Sequence, residues 1–340
     1  MKMQNEANLI LLTLFVTAAA PVQAQWTMQV SNTTAGLRGI HALNADIAWA
    51  SGTNGTILHT TNGGEIWSRC ATPPNAEKLD FRAIQAFNQN TAIIMSAGKG
   101  DLSRIYKTTN ACRTWKLLFT NPDPEGFWDA MQFRSRKLGA LIGDPVDGVF
   151  PIFITTNLGD TWTRVPASHI AKPKPGQSIF AASNSSLVID KTKPILYLVT
   201  GGGANEWIEV NLKKASPMAK TLSGLVNGPT AGAFSLGMRS EASKTIFVAV
   251  GGDYKLPQNR HGTATAKTTE EWKASNNPPS GFRSAVAYDS PRKRWIAVGT
   301  NGSDFSTDDG QSWQPLDSQN WNALSLPFAV GPEGRIGKLQ

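Results

Sequence analysis

The sequence is poor in the residues that most chemistry uses. Its four histidines, His41, His59, His169 and His261, are scattered without metal-ligand spacing, so no metal site is expected. No GxGxxG turn sits between a strand and a helix, so neither a nucleotide nor a flavin site is expected, nor any other cofactor. No stretch has useful helical amphipathicity. Charged residues are 17% of the chain, and the formal net charge of +8 comes without any run of Lys or Arg. Nucleic acid is therefore not an expected partner. The moderate basic excess suits an acidic partner or surface.

Long apolar runs are missing too, with one exception. Leu9 to Ala20 follows Lys2 and runs into Pro21-Val22-Gln23-Ala24. A basic start, a short apolar core and a small-residue end predict a secretory signal peptide over residues 1–24, cut after Ala24. The run is too short to span a membrane comfortably, and no later segment approaches the length needed. The expected mature protein, residues 25–340, is soluble, secreted or periplasmic, without a transmembrane segment and monomeric. Cysteine is nearly absent: Cys70 and Cys112 are the only two. An even pair in an oxidising compartment predicts a disulfide stapling neighbouring repeats, against the alternative of two free thiols.

Glycine and tryptophan, in contrast, are plentiful, and they recur in a pattern. Thr60-Thr61-Asn62-Gly63-Gly64-Glu65-Ile66-Trp67 returns as Thr108 to Trp115, Thr155 to Trp162 and Ser306 to Trp313. The pattern is a hydroxyl residue, then Asn or Asp two positions on, Gly two further, and Trp three beyond that. An Asn or Asp side chain can bond backbone N–H groups two residues on and so close a tight turn. The Gly supplies a positive φ without steric cost, and the Trp opens the next strand with a large apolar face. Asn62, Trp67, Asn110, Trp115, Asn157, Trp162, Asp308 and Trp313 are read as structural, because a motif repeated around a ring cannot mark one unique site.

The motif tryptophans at 67, 115 and 162 are 48 and 47 residues apart, and those at 272 and 313 are 41 apart. A period in the forties with four strands per unit is that of a propeller. Second strands such as Thr91 to Ala97 and Gly139 to Gly143 are small and apolar throughout, as burial on both faces requires. First strands are predicted to begin at Leu37, Phe81, Phe127, Phe180, Phe234, Phe282 and Trp321. The fourth strand after Trp321 is missing, and Trp26 to Val30 reads as a fourth strand without a predecessor. The expected fold is all-β: one seven-bladed β-propeller of four-stranded antiparallel blades, its last blade closed by the N-terminal strand.

These repeats resemble Asp-box (BNR) repeats. Residues 25–340 are similar as a whole to the photosystem II stability/assembly factor-like family of seven-bladed propellers. The resemblance implies an exported assembly or stability factor that binds a protein partner, such as a membrane-protein intermediate, without catalysis. Two departures stand out: Cys112 replaces the motif Gly, and the motif is eroded in the fourth and fifth units.

The residue after each first-strand start reads Arg38, Arg82, Trp128, Ala181, Ser235, Arg283 and Asn322, all expected at one mouth of the channel. Loops on that face carry Asp144, Asp147, Asn205, Glu206, Asp253, Tyr254 and Arg260. The expected binding face is Arg38, Arg82, Trp128, Asp147, Asn205, Tyr254, Arg260 and Arg283. Arginine forks match carboxylates bidentately, so the ligand expected there is a carboxylate or an acidic peptide. The bland reading has the arginines salt-bridging neighbouring loop acids. The alternative function is a carbohydrate-active propeller, a lectin or a sialidase-like glycoside hydrolase, with Asp129, Asp144, Glu206 or Asp253 as its acids.

Overall fold

The computed structural model of the protein describes residues 26–241 and 244–340. The predicted signal peptide, residues 1–24, lies outside the described residues. Short alternating strands joined by tight turns form seven antiparallel blades in a ring. The inner strands of blades 1 to 7 are Leu37–Ala42, Phe81–Ala86, Trp128–Ser135, Leu187–Ile189, Gly228–Glu241, Ala285–Asp289 and Ala323–Ser325. Two three-residue 3₁₀ turns, Gly100–Leu102 and Ala167–His169, are the helical segments among the described residues.

Burial follows radius. Second strands such as Ala48–Gly52, Ala92–Ser96 and Ile195–Val199 are buried at every residue, as their apolar sequences require. Outer strands such as Ser68–Arg69 and Met218–Thr221 are exposed at every residue. The core is divided among the blade interfaces. Trp49, Phe81 and Tyr106 fill the space between blades 1 and 2. Ile142, Ile152 and Leu198 fill the one between blades 3 and 4. The ring closes as its two incomplete ends predict: Trp26–Gln29 pairs with Ile336–Leu339, Trp26 opposite Leu339, and becomes the outer strand of blade 7.

The motif turns carry out the roles their residues suggest, with a longer reach. In blade 3 the Thr155 hydroxyl accepts from the Gly159 amide at 3.0 Å, and Asn157 Oδ1 accepts from the Thr161 amide at 3.0 Å. Blade 6 repeats this with Ser306, Gly310, Asp308 and Ser312. The side-chain oxygen thus closes a turn four residues long, where the sequence suggested two. Two consecutive residues take positive φ, Leu158 and Gly159 in blade 3 and Asp309 and Gly310 in blade 6. In blade 2 the second of these is Cys112, at φ 56°, and its sulfur is bonded to Cys70 of blade 1.

Blade 4 departs from the sequence reading. Its inner strand starts at Leu187, and Phe180 belongs to the connection before it. That connection first pairs Gln177–Ser178 with Gly201–Gly202, which in turn pairs with the inner strand of blade 5. Residues 179–186 are thereby directed over the channel instead of along the blade.

Candidate functional site

The inner strands of blades 1, 2, 3 and 5 carry a bulge that frees one side chain from the ladder. The register skips Arg38 between Leu37 and Gly39, Arg82 between Phe81 and Ala83, Asp129 between Trp128 and Ala130, and Phe234 between Ala233 and Ser235. In blades 6 and 7 the matching positions are Ser284 and Asn322, whose amides donate to Val298 and Val330. By register, blade 4 contributes Ser185. The residue before the bulge is buried at the interface with the preceding blade. Leu37, Phe81, Trp128 and Arg283 are all fully buried.

This places Arg38, Arg82 and Asn322 at the mouth and removes Trp128 and Arg283 from it. Trp128 stacks on Phe119 with centroids 5.2 Å apart. Arg283 is paired with Asp304, Nε to Oδ2 at 2.6 Å, and also donates to Asn301 Oδ1 and to the Phe282 carbonyl. Counting from the nearest aromatic misses by one wherever that aromatic, as with Phe127, Phe234 and Phe282, does not hold the position before the bulge.

Arg38 and Arg82 remain together. Arg82 Nε donates to Asp80 Oδ2 at 2.8 Å, and Nη1 donates to the carbonyl of Ala181 at 3.0 Å. Arg38 has a buried Nε with no partner among the described residues. Burial, and then the charge of Arg82, holds the Arg38 guanidinium below its usual range, with Asp80 opposing. Beside them Asp129 is 1% exposed, with Oδ2 unpartnered among the described residues. Burial first, and then Asp144, pushes Asp129 well above the ordinary carboxylate range, against the pull of Arg82. Asp144 is also raised by burial, while its Oδ1 accepts from the Ile179 amide at 2.8 Å.

The connection into blade 4 crosses this mouth and touches four blades. Besides Ala181 on Arg82, Ser183 Oγ donates to the carbonyl of Ser284 at 2.6 Å and Asn184 Oδ1 accepts from the Met131 amide at 2.7 Å. Phe180 lies flat on Phe234, with centroids 3.9 Å apart and planes 1° apart. Phe234 in turn meets Tyr254 edge-on at 6.3 Å. Neither Phe180 nor Phe234 figured as a site residue in the sequence. Their signal was there, an aromatic in the mouth-facing columns, but it was assigned to strand starts.

The remaining candidates are dispersed. Asn205 is buried and donates to the carbonyls of Leu225 and Val226. Arg260 braces its loop against Asn277, Pro278 and Pro279. Asp147 takes positive φ in a turn, and Asp253 accepts from Thr230 Oγ1 and the Lys255 amide. Glu206 is buried in an ion pair with Lys174 at 2.7 Å. Of the four candidate acids only Asp129 and Asp144 stand together. Among the described residues no group of three or more His, Cys, Asp or Glu could hold a metal ion. At the opposite end of the channel a cavity of about 1070 Å³ opens between blades 3 to 6, with Arg134, Lys191, Tyr288 and Lys293 in its wall.

Neither a family model nor a curated protein matches the chain. Solved structures do. YCF48 bound to D1 peptide matches with a TM-score of 0.63 and 15% identity, over 95% of this chain and 98% of that one. YCF48 from Cyanidioschyzon merolae matches with a TM-score of 0.65 and 16% identity, over 93% of this chain and 99% of that one. The chain has the fold of YCF48. The match runs nearly from end to end in both, so it is the whole ring that is shared and not a few blades.

Proposed function

We propose that the protein is an exported, non-enzymatic factor of the photosystem II stability/assembly factor-like kind, which grips a protein partner by a carboxylate at Arg38 and Arg82. The observation that carries the reading is this arginine pair. A half-buried cation whose Nε has no partner among the described residues, pressed by a second cation that Asp80 only partly offsets, is costly unless a further anion answers it. A carboxylate does so with two parallel hydrogen bonds. YCF48, alike in fold, has been captured with a D1 peptide, which supports a protein ligand. The expected class is an acidic peptide or the exposed tail of a membrane-protein intermediate. No helix among the described residues is long and apolar enough to cross a membrane. Export rests on Lys2 to Ala24 and on the Cys70–Cys112 bond, which needs an oxidising compartment to persist. We read the repeated turns as Asp-box repeats, and the protein as a monomer because the outer edges the closed ring leaves are short strands such as Ser68–Arg69 and Thr163–Arg164.

The test is retention of envelope proteins by immobilised wild type and by Arg38→Gln/Arg82→Gln, with Arg283 left intact. Charged hydrogen bonds of this kind are worth enough for the double variant to weaken binding at least about tenfold. A protein held by wild type and lost from the variant is the expected result. Equal retention by both would sink the reading. The adjacent Asp129 and Asp144, both raised, favour one second reading, a glycoside hydrolase. Hydrolysis of a glycoside panel that Asp129→Asn abolishes would put it first.

A further inference from the structure

Resting on that reading, we infer that the partner segment carries a large apolar side chain several residues before its carboxylate, and that Tyr254 and Leu256 select it. The ground is a row of contacts leading away from the arginines. Arg82 holds the Ala181 carbonyl, and the adjacent Phe180 is stacked on Phe234. Phe234 is wedged edge-on between Phe282 at 4.7 Å and Tyr254 at 6.3 Å. The row runs from blade 2 across the mouth to blade 5, and it ends in solvent. Tyr254 is 46% exposed, and Leu256, two residues on in the same loop, is 57% exposed.

These two exposed apolar side chains sit together on one loop, and this loop is braced. Arg260 ties it to Asn277, Pro278 and Pro279, and Asp253 closes its start on Thr230 and the Lys255 amide. The Phe282 amide donates to Pro257 at 3.0 Å. Tyr254 and Leu256 are thus presented on a fixed support, the arrangement that lowers the ordering cost of binding. Charge at one end and apolar surface at the other fit an extended peptide ending in a free carboxylate. Ala181, Phe180 and Phe234 stand between Arg82 and Tyr254, so the apolar residue lies several residues before the carboxylate and not beside it. Successive side chains of such a chain alternate in direction, so the apolar residue must fall at the right count, not merely nearby.

The experiment measures fluorescence anisotropy of N-terminally labelled ten-residue peptides with the mature protein. The peptides are acidic, end in a free carboxylate, and form pairs carrying Phe or Ser at each position from three to seven residues before it. A further peptide has the Phe next to the terminus, and another is the tightest-binding Phe peptide amidated. Wild type is expected to bind at least one Phe peptide about tenfold more tightly than its Ser counterpart and than the peptide with Phe next to the terminus. The preference should vanish in Tyr254→Ser/Leu256→Ser, a surface change whose folding circular dichroism can verify. Amidation and Arg38→Gln/Arg82→Gln should weaken every peptide. Equal binding of the Phe and Ser peptides, with dependence on the arginines intact, overturns this inference and leaves the carboxylate site standing. Binding of no peptide overturns both.

Discussion

Asp129 shows how one residue can belong to the channel mouth and to the buried fold at once. Its carboxyl shares the mouth with Arg82 but is 1% exposed, and burial and Asp144 raise it well above its ordinary value of 3.8. A group raised in the folded state adds stability that is full below its unfolded pKa and is lost as pH climbs through its folded pKa. Asp129→Asn should therefore leave stability near pH 3 little changed and raise it by about 1 kcal/mol or more at pH 8. Urea unfolding at the two pH values checks this, and an equal shift at both would show that the carboxyl is not the source. At this scale the sequence was half legible. Arg38 and Arg82 could be picked out because their aromatic or aliphatic neighbour was the buried residue. Arg283 could not, since its role depends on Asp304, a residue 21 positions away that no local pattern marks. Sequence periodicity says which side of a strand a residue takes, but a one-residue bulge reverses the answer.

The turn motif was the most legible element, and blade 2 shows what a departure from it is for. In the intact copies the motif Gly abuts the preceding blade. A Cβ on Gly159 would strike Ile93 of blade 2, and one on Gly310 would press on Val248 of blade 5. Cys112 stands at the same place, and there the side chain bonds to Cys70 of the preceding blade, Cα to Cα 5.3 Å. The cross-link comes with a non-glycine residue at φ 56°, which costs about 1–2 kcal/mol. Removing the bond while restoring the turn should separate the two effects. Cys70→Ala/Cys112→Ala is expected to lose about 2–4 kcal/mol relative to the oxidised protein. Cys70→Ala/Cys112→Gly should recover about 1 kcal/mol of that. Urea midpoints measure both, and identical values for the two variants would mean the turn bears no strain. The connection into blade 4 was illegible for the opposite reason. Its Phe180 imitates the start of an inner strand, and only the long-range pairing of Gln177–Ser178 with Gly201–Gly202 carries it elsewhere.

The ring as a whole followed from counting strands, because a propeller with one strand missing at one end and one spare at the other has a single economical closure. What counting could not give is how much depends on it. Trp26 has its indole N–H on Ser303 Oγ at 3.0 Å and its ring 5.2 Å from Trp321, so it seals blade 7 against blade 6. Two positions later on the same strand Met28 is 49% exposed. If closure holds the molecule together, these two residues must respond very differently. Trp26→Ala should cost about 3–5 kcal/mol and free the edge of Ile336–Leu339 for pairing with other chains. Met28→Lys should stay within about 0.5 kcal/mol of wild type. The pair is read by urea unfolding together with light scattering near the midpoint. Similar small losses for both would mean that the ring is held by the other blade interfaces, and that the junction of the two ends is a seam which opens without consequence.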